Sequence, residues 1–240
     1  YCTSLTDMEI PDSVTEFGEQ TFMGCSSLES ITLPETLETL SAYMFQNCSA
    51  LESFSIPDTM TDLGYLAFVG CRNLKTIDIS ANHPTYQLQD DVLYSKDGTE
   101  LFLYPAGKTG TSFTVPDGVK TISDGAFFAA PLQSVTLPEG LEWIGSGAFD
   151  YCTSLTNITI PESVTVIQDH AFSDCESLSS VLFAGDEEAT DNALQIGSYA
   201  FFCCEQLMDV TLPKRVTQIG DFAFGVTEQQ KVNADGSTSD

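Results

Sequence analysis

The chain has 240 residues, 42% of them hydrophobic and 18% charged, enough apolar material for a sizeable core. Its 35 Asp and Glu stand against 8 Lys and Arg, a formal net charge of −27. That balance argues against nucleic acid, whose phosphates need clustered cations, and against docking on an anionic membrane; no apolar run approaches the roughly 18 residues of a membrane span.

The chain opens inside a motif, at Tyr1-Cys2-Thr3-Ser4-Leu5, with no initiator Met, basic leader or signal-peptide core. It reads as a processed form or an excised fragment. A 23-residue period then takes over. Prolines fall at 11, 34 and 57, then at 116, 138, 161 and 213. Phenylalanines fall at 22, 45, 68, 127, 149, 172, 201 and 224, and cysteines at 2, 25, 48, 71, 152, 175 and 204. Three residue types sharing one period define about eight repeats.

Each unit contains an L-x-x-Φ-x-Φ-P stretch, clearest at Leu28–Pro34, Leu51–Pro57, Leu132–Pro138 and Leu155–Pro161. The alternating apolar pair predicts a short strand, and the proline, which cannot donate to a ladder, ends it. A second short apolar segment follows, such as Val14–Gly18 or Val216–Gly220, and then a turn carrying Ala-Phe. Gly18, Gly64, Gly145, Gly197 and Gly220 sit where a corner favours unusual backbone angles. One unit cannot bury its own apolar face; stacked units bury Leu, Ile, Phe and Cys against copies of themselves. The predicted fold is a solenoid of short parallel β-strands, nine in the main stack, with helix limited to single turns at the Ala-Phe corners.

In chain order, residues 1–79 form a first block of repeats and residues 80–112 break the period. There Val92–Ser95 and Glu100–Tyr104 flank Lys96-Asp97-Gly98-Thr99, which predicts a β-hairpin turning at Asp-Gly. Repeats resume at Phe113-Thr114-Val115-Pro116 and run to residue 227. Within this block the Cys175–Cys204 interval stretches to 29 residues, its excess around Gly185–Asp191 predicting an acidic surface loop. Residues 228–240 are polar and predicted to be a disordered tail of this single continuous domain.

The repeat resembles the BspA-like leucine-rich repeats of bacterial surface proteins, whose unit reads roughly L-x-x-I-x-I-P-x-x-V-x-x-I-G-x-x-A-F-x-x-C. The likeness covers about residues 1–227 and is clear in Ile158–Ile167 and Ala171-Phe172-Ser173-Asp174-Cys175. Ser41, Ser123 and Gln168 depart from it at the glycine, and Ala130 at the cysteine. The hairpin, leading to Tyr104-Pro105-Ala106-Gly107-Lys108, looks like an insert common in gut-bacterial members. The resemblance implies a right-handed horseshoe and a secreted or cell-surface, extracellular location, often linked to adhesion and host or matrix binding.

Within that frame the side chains of Thr32, Ser55, Asp78, Thr136, Thr159 and Thr211 should line the concave face, where solenoids usually bind. This set is small, polar and poor in the aromatic and arginine anchors of protein hot spots. Tyr86, Tyr94, Phe102 and Tyr104 concentrate aromatic surface in the hairpin, which is either a specific binding element or a structural flap over the broken repeat. Column cysteines one rung apart fall within disulfide Cα range, but their side chains run parallel, and the slot suits a small buried thiol better. Cys203, one residue before the column, should be the most accessible thiol. The carboxylates after the prolines, Asp12, Glu35, Asp58, Asp117, Glu139 and Glu162, read as turn chemistry rather than a calcium site, which needs six or more converging oxygens.

No zinc spacing occurs, and neither His83 nor His170 has a nucleophile at a recognisable spacing. Gly107-Lys108-Thr109 imitates a phosphate loop, but Phe102 stands where its first glycine would be. No catalytic residue, cofactor or metal is expected. The reading is a monomeric module for interaction with, or adhesion to, a host, matrix or other cell-surface protein. The alternative is a structural stalk or spacer of a larger surface protein.

Overall fold

The computed structural model describes residues 2–185 and 192–226. Its strands are short, two to four residues each. They are β1 (Asp7–Glu9), β2 (Ser30–Thr32), β3 (Ser53–Ser55), β4 (Thr76–Asp78), β5 (Tyr86–Gln89), β6 (Val92–Ser95), β7 (Glu100–Leu103) and β8 (Ser112–Thr114). There follow β9 (Thr121–Ile122), β10 (Ser134–Thr136), β11 (Trp143–Ile144), β12 (Asn157–Ile160), β13 (Val166–Ile167), β14 (Ser180–Phe183), β15 (Leu194–Ile196) and β16 (Val216–Ile219).

Each coil of the second block except the last contributes one strand to each of two faces. On the first face β8, β10, β12 and β14 pair in parallel, and the same row continues in the first block as β1–β2 and β3–β4. On the second face β9, β11, β13, β15 and β16 pair in parallel, so that Ile122, Ile144, Ile167 and Ile196 stack inward, all fully buried. The resumed repeat forms β8 as expected, whereas Thr211, expected on the same face, lies outside any strand. Val210 and Leu212 still pack on the core, but this end rung has a neighbour on one side only. The expected acidic loop falls largely on residues 186–191 and the expected tail on 228–240, outside the described residues.

The Ala-Phe corners are turns, and no helix occurs among the described residues, in place of the predicted single helical turns. The residue two places before each phenylalanine is left-handed, as at Gln20 (φ 61°), Tyr43 (56°), His170 (58°) and Tyr199 (59°). The residue before the cysteine slot is left-handed again, as at Asn47, Tyr151, Asp174 and Cys203. Two such residues in five forbid an α-helical run. They turn alternate N–H groups toward the next coil instead: His170, Phe172 and Asp174 donate to the carbonyls of Ser198, Ala200 and Phe202 at 2.9, 2.7 and 2.8 Å. The corners thereby form a ladder of their own. Inside it Phe127, Phe149, Phe172, Phe201 and Phe224 stack ring on ring, 4.8–5.2 Å apart.

Of Gly18, Gly64, Gly145, Gly197 and Gly220, only Gly64 has a left-handed backbone, at φ 67°. A Cβ on Gly145 or Gly197 would lie 2.7 or 2.6 Å from backbone nitrogen of the preceding coil, and one on Gly220 would run into the Ser198 nitrogen. Close approach between coils, rather than an unusual angle, selects glycine there.

The interruption is a three-stranded antiparallel meander, β5-β6-β7, whose last strand then pairs in parallel with β9. The second of its turns is the expected Lys96–Thr99 turn. The first, Asp90-Asp91, has both residues at positive φ (51° and 58°), the signature of a type I′ turn, without the usual glycine. The meander divides two cores. Val92, Tyr94, Leu101 and Tyr104 pack into the core of the second block, and Leu93, Tyr86, Phe102 and Leu103 into that of the first. It is a wall buried on both faces. His83 anchors its base: the ring is fully buried, Nε2 donates to the Pro57 carbonyl at 2.9 Å, and Nδ1 accepts from the N–H groups of Thr85 and Tyr86.

Candidate binding surfaces

Strand alternation points Thr32, Ser55, Asp78, Thr136 and Thr159 outward, and all five are exposed. The structure brings three of them together. Thr32, Ser55 and Asp78 line a hollow of about 490 Å³ with Glu35 and Asp58 of the post-proline column. Ser55 and Asp78 are cross-strand partners between β3 and β4. Thr136 and Thr159 lie farther along the face, Thr136 beside Thr114 and Thr159 beside Leu182. Leu182 is 60% exposed and interrupts the polar row.

The meander aromatics are placed differently. Tyr86, Tyr94 and Tyr104 are 1–2% exposed, and Phe102 is half-buried. Tyr86 Oη donates to the Thr61 carbonyl at 2.9 Å and its ring meets Phe102 edge-on. Tyr104 takes the phenylalanine position of the missing coil, stacking 5.3 Å from Phe127. Burial raises the hydroxyl pKa of all three tyrosines. These three rings join the cores; they present no surface. Gly107 is explained in the same way: a Cβ there would lie 2.6 Å from the Asn73 backbone, and Lys108 beside it reaches the Asp90 carbonyl and the Asp91 carboxylate.

None of the eight cysteines is in a disulfide, and seven are buried. Each column thiol with a coil before it donates to the phenylalanine carbonyl of that coil, as Cys48 to Phe22, Cys71 to Phe45 and Cys175 to Phe149, all at 3.1 Å. Ala130 occupies the slot in the coil that adjoins the meander and is buried like the cysteines. Burial pushes the Cys48 thiol up to about 12 and Cys71 well above its ordinary value. Cys203, expected to be the most accessible thiol, is 3% exposed, whereas Cys2 is the exposed one. The left-handed backbone at Cys203 turns its N–H to the Gly225 carbonyl and its side chain inward. Among the described residues no three carboxylate, imidazole or thiol groups converge closely enough to hold a metal ion.

One residue carried no sequence signal read above. Trp143, the single tryptophan, occupies the outward position of β11 where the neighbouring strands carry Thr121 and Val166, and is 38% exposed. A lone exposed tryptophan in a row of small or aliphatic residues was the available clue.

The repeat is matched by the model of the BspA type leucine rich repeat region, in six copies, over residues 1–105, 99–225 and 187–239. The chain belongs to the BspA-type leucine-rich repeat family. Its solenoid is similar to a leucine-rich cell surface protein from Faecalibacterium prausnitzii, at 29% identity and a TM-score of 0.67, covering 100% of this chain and 64% of that one. It also shares its fold with the pneumococcal vaccine antigen PcpA (21% identity, TM-score 0.69, 93% of this chain and 66% of that one). A leucine-rich repeat protein from Eubacterium ventriosum is similar at 22% identity and a TM-score of 0.52, over 92% and 82% of the two chains. This BspA-type chain therefore spans less than two thirds of the length of the first two neighbours. No curated protein matches it. Among the described residues no helix is long and apolar enough to cross a membrane.

Proposed function

We propose that this BspA-type solenoid is the interaction module of a bacterial cell-surface or secreted protein and holds a protein partner against its outer rungs. The observation that supports this most directly is the exposed polar row of the first face. Small side chains such as Thr32 and Ser55 stand on the strands of a core whose coils, within each block, are hydrogen-bonded one to the next. A stack of this kind holds its surface rigid, so a partner meets groups that need little ordering on binding. The likeness to a protein described as a cell surface protein supports the location.

The test is capture of partners from extracellular matrix and host-surface fractions on the immobilised chain, with a variant carrying Thr32→Arg, Ser55→Arg and Thr159→Arg as comparison. Bulky cations on the rungs should abolish capture while leaving the fold intact. Retention of the same partners by both would remove the first face from the reading. Absence of any saturable partner would favour the stalk.

A further inference from the structure

The meander opens a notch in the second face. On one side of the wall the coils close up tightly: Gly107 N–H donates to the Leu74 carbonyl at 2.7 Å. On the other side the corner of Leu66–Gly70 and that of Gly125–Ala129 are joined by no ladder hydrogen bond among the described residues. Only side chains cross there, with Leu66 seated over Gly125 and Tyr65 Oη bonded to Ser146 Oγ at 3.3 Å. The result is a hollow of about 480 Å³ whose walls include Tyr65, Phe102 and Trp143. Tyr65 is 43% exposed and Trp143 38%, two large aromatic faces left open to solvent.

The polar groups of this hollow have one sign. Asp62, Glu100 and Asp124 line it, and no lysine or arginine does. Each is fixed by one oxygen, taking a hydrogen bond from Gly64 N–H, Ser123 Oγ or Ser146 N–H at 2.6–2.8 Å. None takes part in a salt bridge among the described residues; the nearby Lys120 is paired with Glu142. Register pairing places Glu100, Thr121 and Trp143 on successive strands, so the backbone positions of Glu100 and Trp143 lie about 10 Å apart across the sheet. Carboxylates beside open aromatic faces are the complement of a planar cation, which stacks on the ring while its N–H groups bind oxygen. A recessed site on an acidic molecule also concentrates cations electrostatically.

We propose that this notch is a docking site for an arginine-bearing basic segment of a protein partner, with the guanidinium held between Trp143, Tyr65 and the three carboxylates. The assignment rests on the interaction reading given above and adds to it a place and a ligand chemistry. The test titrates the whole chain with a hexa-arginine peptide at physiological ionic strength, following Trp143 fluorescence and binding heat. Because a chain this acidic attracts any polycation, two triple variants are compared. Asp62→Asn with Glu100→Gln and Asp124→Asn empties the notch of charge; Glu35→Gln with Asp58→Asn and Asp78→Asn removes the same charge from the first-face hollow. We expect the notch variant to lose about tenfold or more in affinity and the other to stay within about twofold, with Trp143 emission changing on saturation of the native chain.

Equal losses in the two variants, or saturation without a change in Trp143 emission, would overturn the site in favour of diffuse attraction. A neutral hexasaccharide that shifts Trp143 emission equally in the native chain and the notch variant would overturn it in favour of a carbohydrate groove. A partner captured equally by native chain and notch variant sinks the notch alone. Failure to capture any partner, with the peptide result standing, sinks the interaction reading instead.

Discussion

At the scale of single residues, the column positions are governed by contact with the next coil rather than by the coil that contains them. Cysteine recurs because its thiol is small enough for the core and still donates to a carbonyl one coil away. Thiol labelling of the native chain should therefore modify Cys2 alone, and all eight cysteines only after unfolding; rapid native labelling of a column cysteine or of Cys203 would contradict the packing. Gly197 makes the same point through the absence of a side chain. Gly197→Ala forces a methyl to within 2.6 Å of the Asp169 backbone and should cost about 1–3 kcal/mol in a denaturant melt. Gly18 has open space around its Cβ position, so Gly18→Ala is the matched control and should leave the midpoint nearly unchanged.

At the scale of elements, the repeat was legible because equal spacing of Pro, Phe and Cys can arise only from equal coils. The meander was legible as strands and opaque as a wall. Val92-Leu93-Tyr94 and Leu101-Phe102-Leu103-Tyr104 are continuous apolar runs, and such a run marks a strand buried on both faces. The same pattern puts Tyr94 and Tyr104 inside and decides for the structural role of the hairpin aromatics over the binding one. Trp143 was hidden for a different reason: strand alternation turns it outward, but the hollow it lines depends on a gap between coils that are distant in sequence. The wall can be tested by hydrogen exchange. Leu93→Ala and Leu101→Ala should each cost about 2–5 kcal/mol. The first should chiefly deprotect amides of residues 20–79 and the second those of 113–226, because the two leucines belong to different cores. Equal deprotection of both blocks by both variants would mean that the wall does not separate them.

For the molecule as a whole, acidity dominates, and one carboxyl feels it from inside. Asp150 has an oxygen with no hydrogen-bond partner, and burial, then the neighbouring Asp174, raise its pKa to about 7. A raised carboxyl pKa means that the folded state holds a proton the unfolded chain has released. The destabilisation is absent below the ordinary value of 3.8, accumulates as pH rises, and is complete above about 7. Asp150→Asn mimics the protonated form at every pH. Its advantage over the native chain should widen from roughly pH 4 to pH 7 and reach on the order of 4 kcal/mol. An advantage that does not change with pH would place the ionised carboxylate in solvent.

The joint between the two cores also has a mechanical meaning. A load applied between the ends of the solenoid crosses most coil boundaries through a corner ladder of three parallel hydrogen bonds, as between His170–Asp174 and Ser198–Phe202. Between Leu66–Gly70 and Gly125–Ala129 those bonds are missing. There the strain falls on the single Gly107–Leu74 bond and on side chains. Stretched along its axis, the chain should give first at this boundary and widen the acidic notch before any coil unravels, so that ligand in the notch should raise the force needed to open it in a pulling experiment.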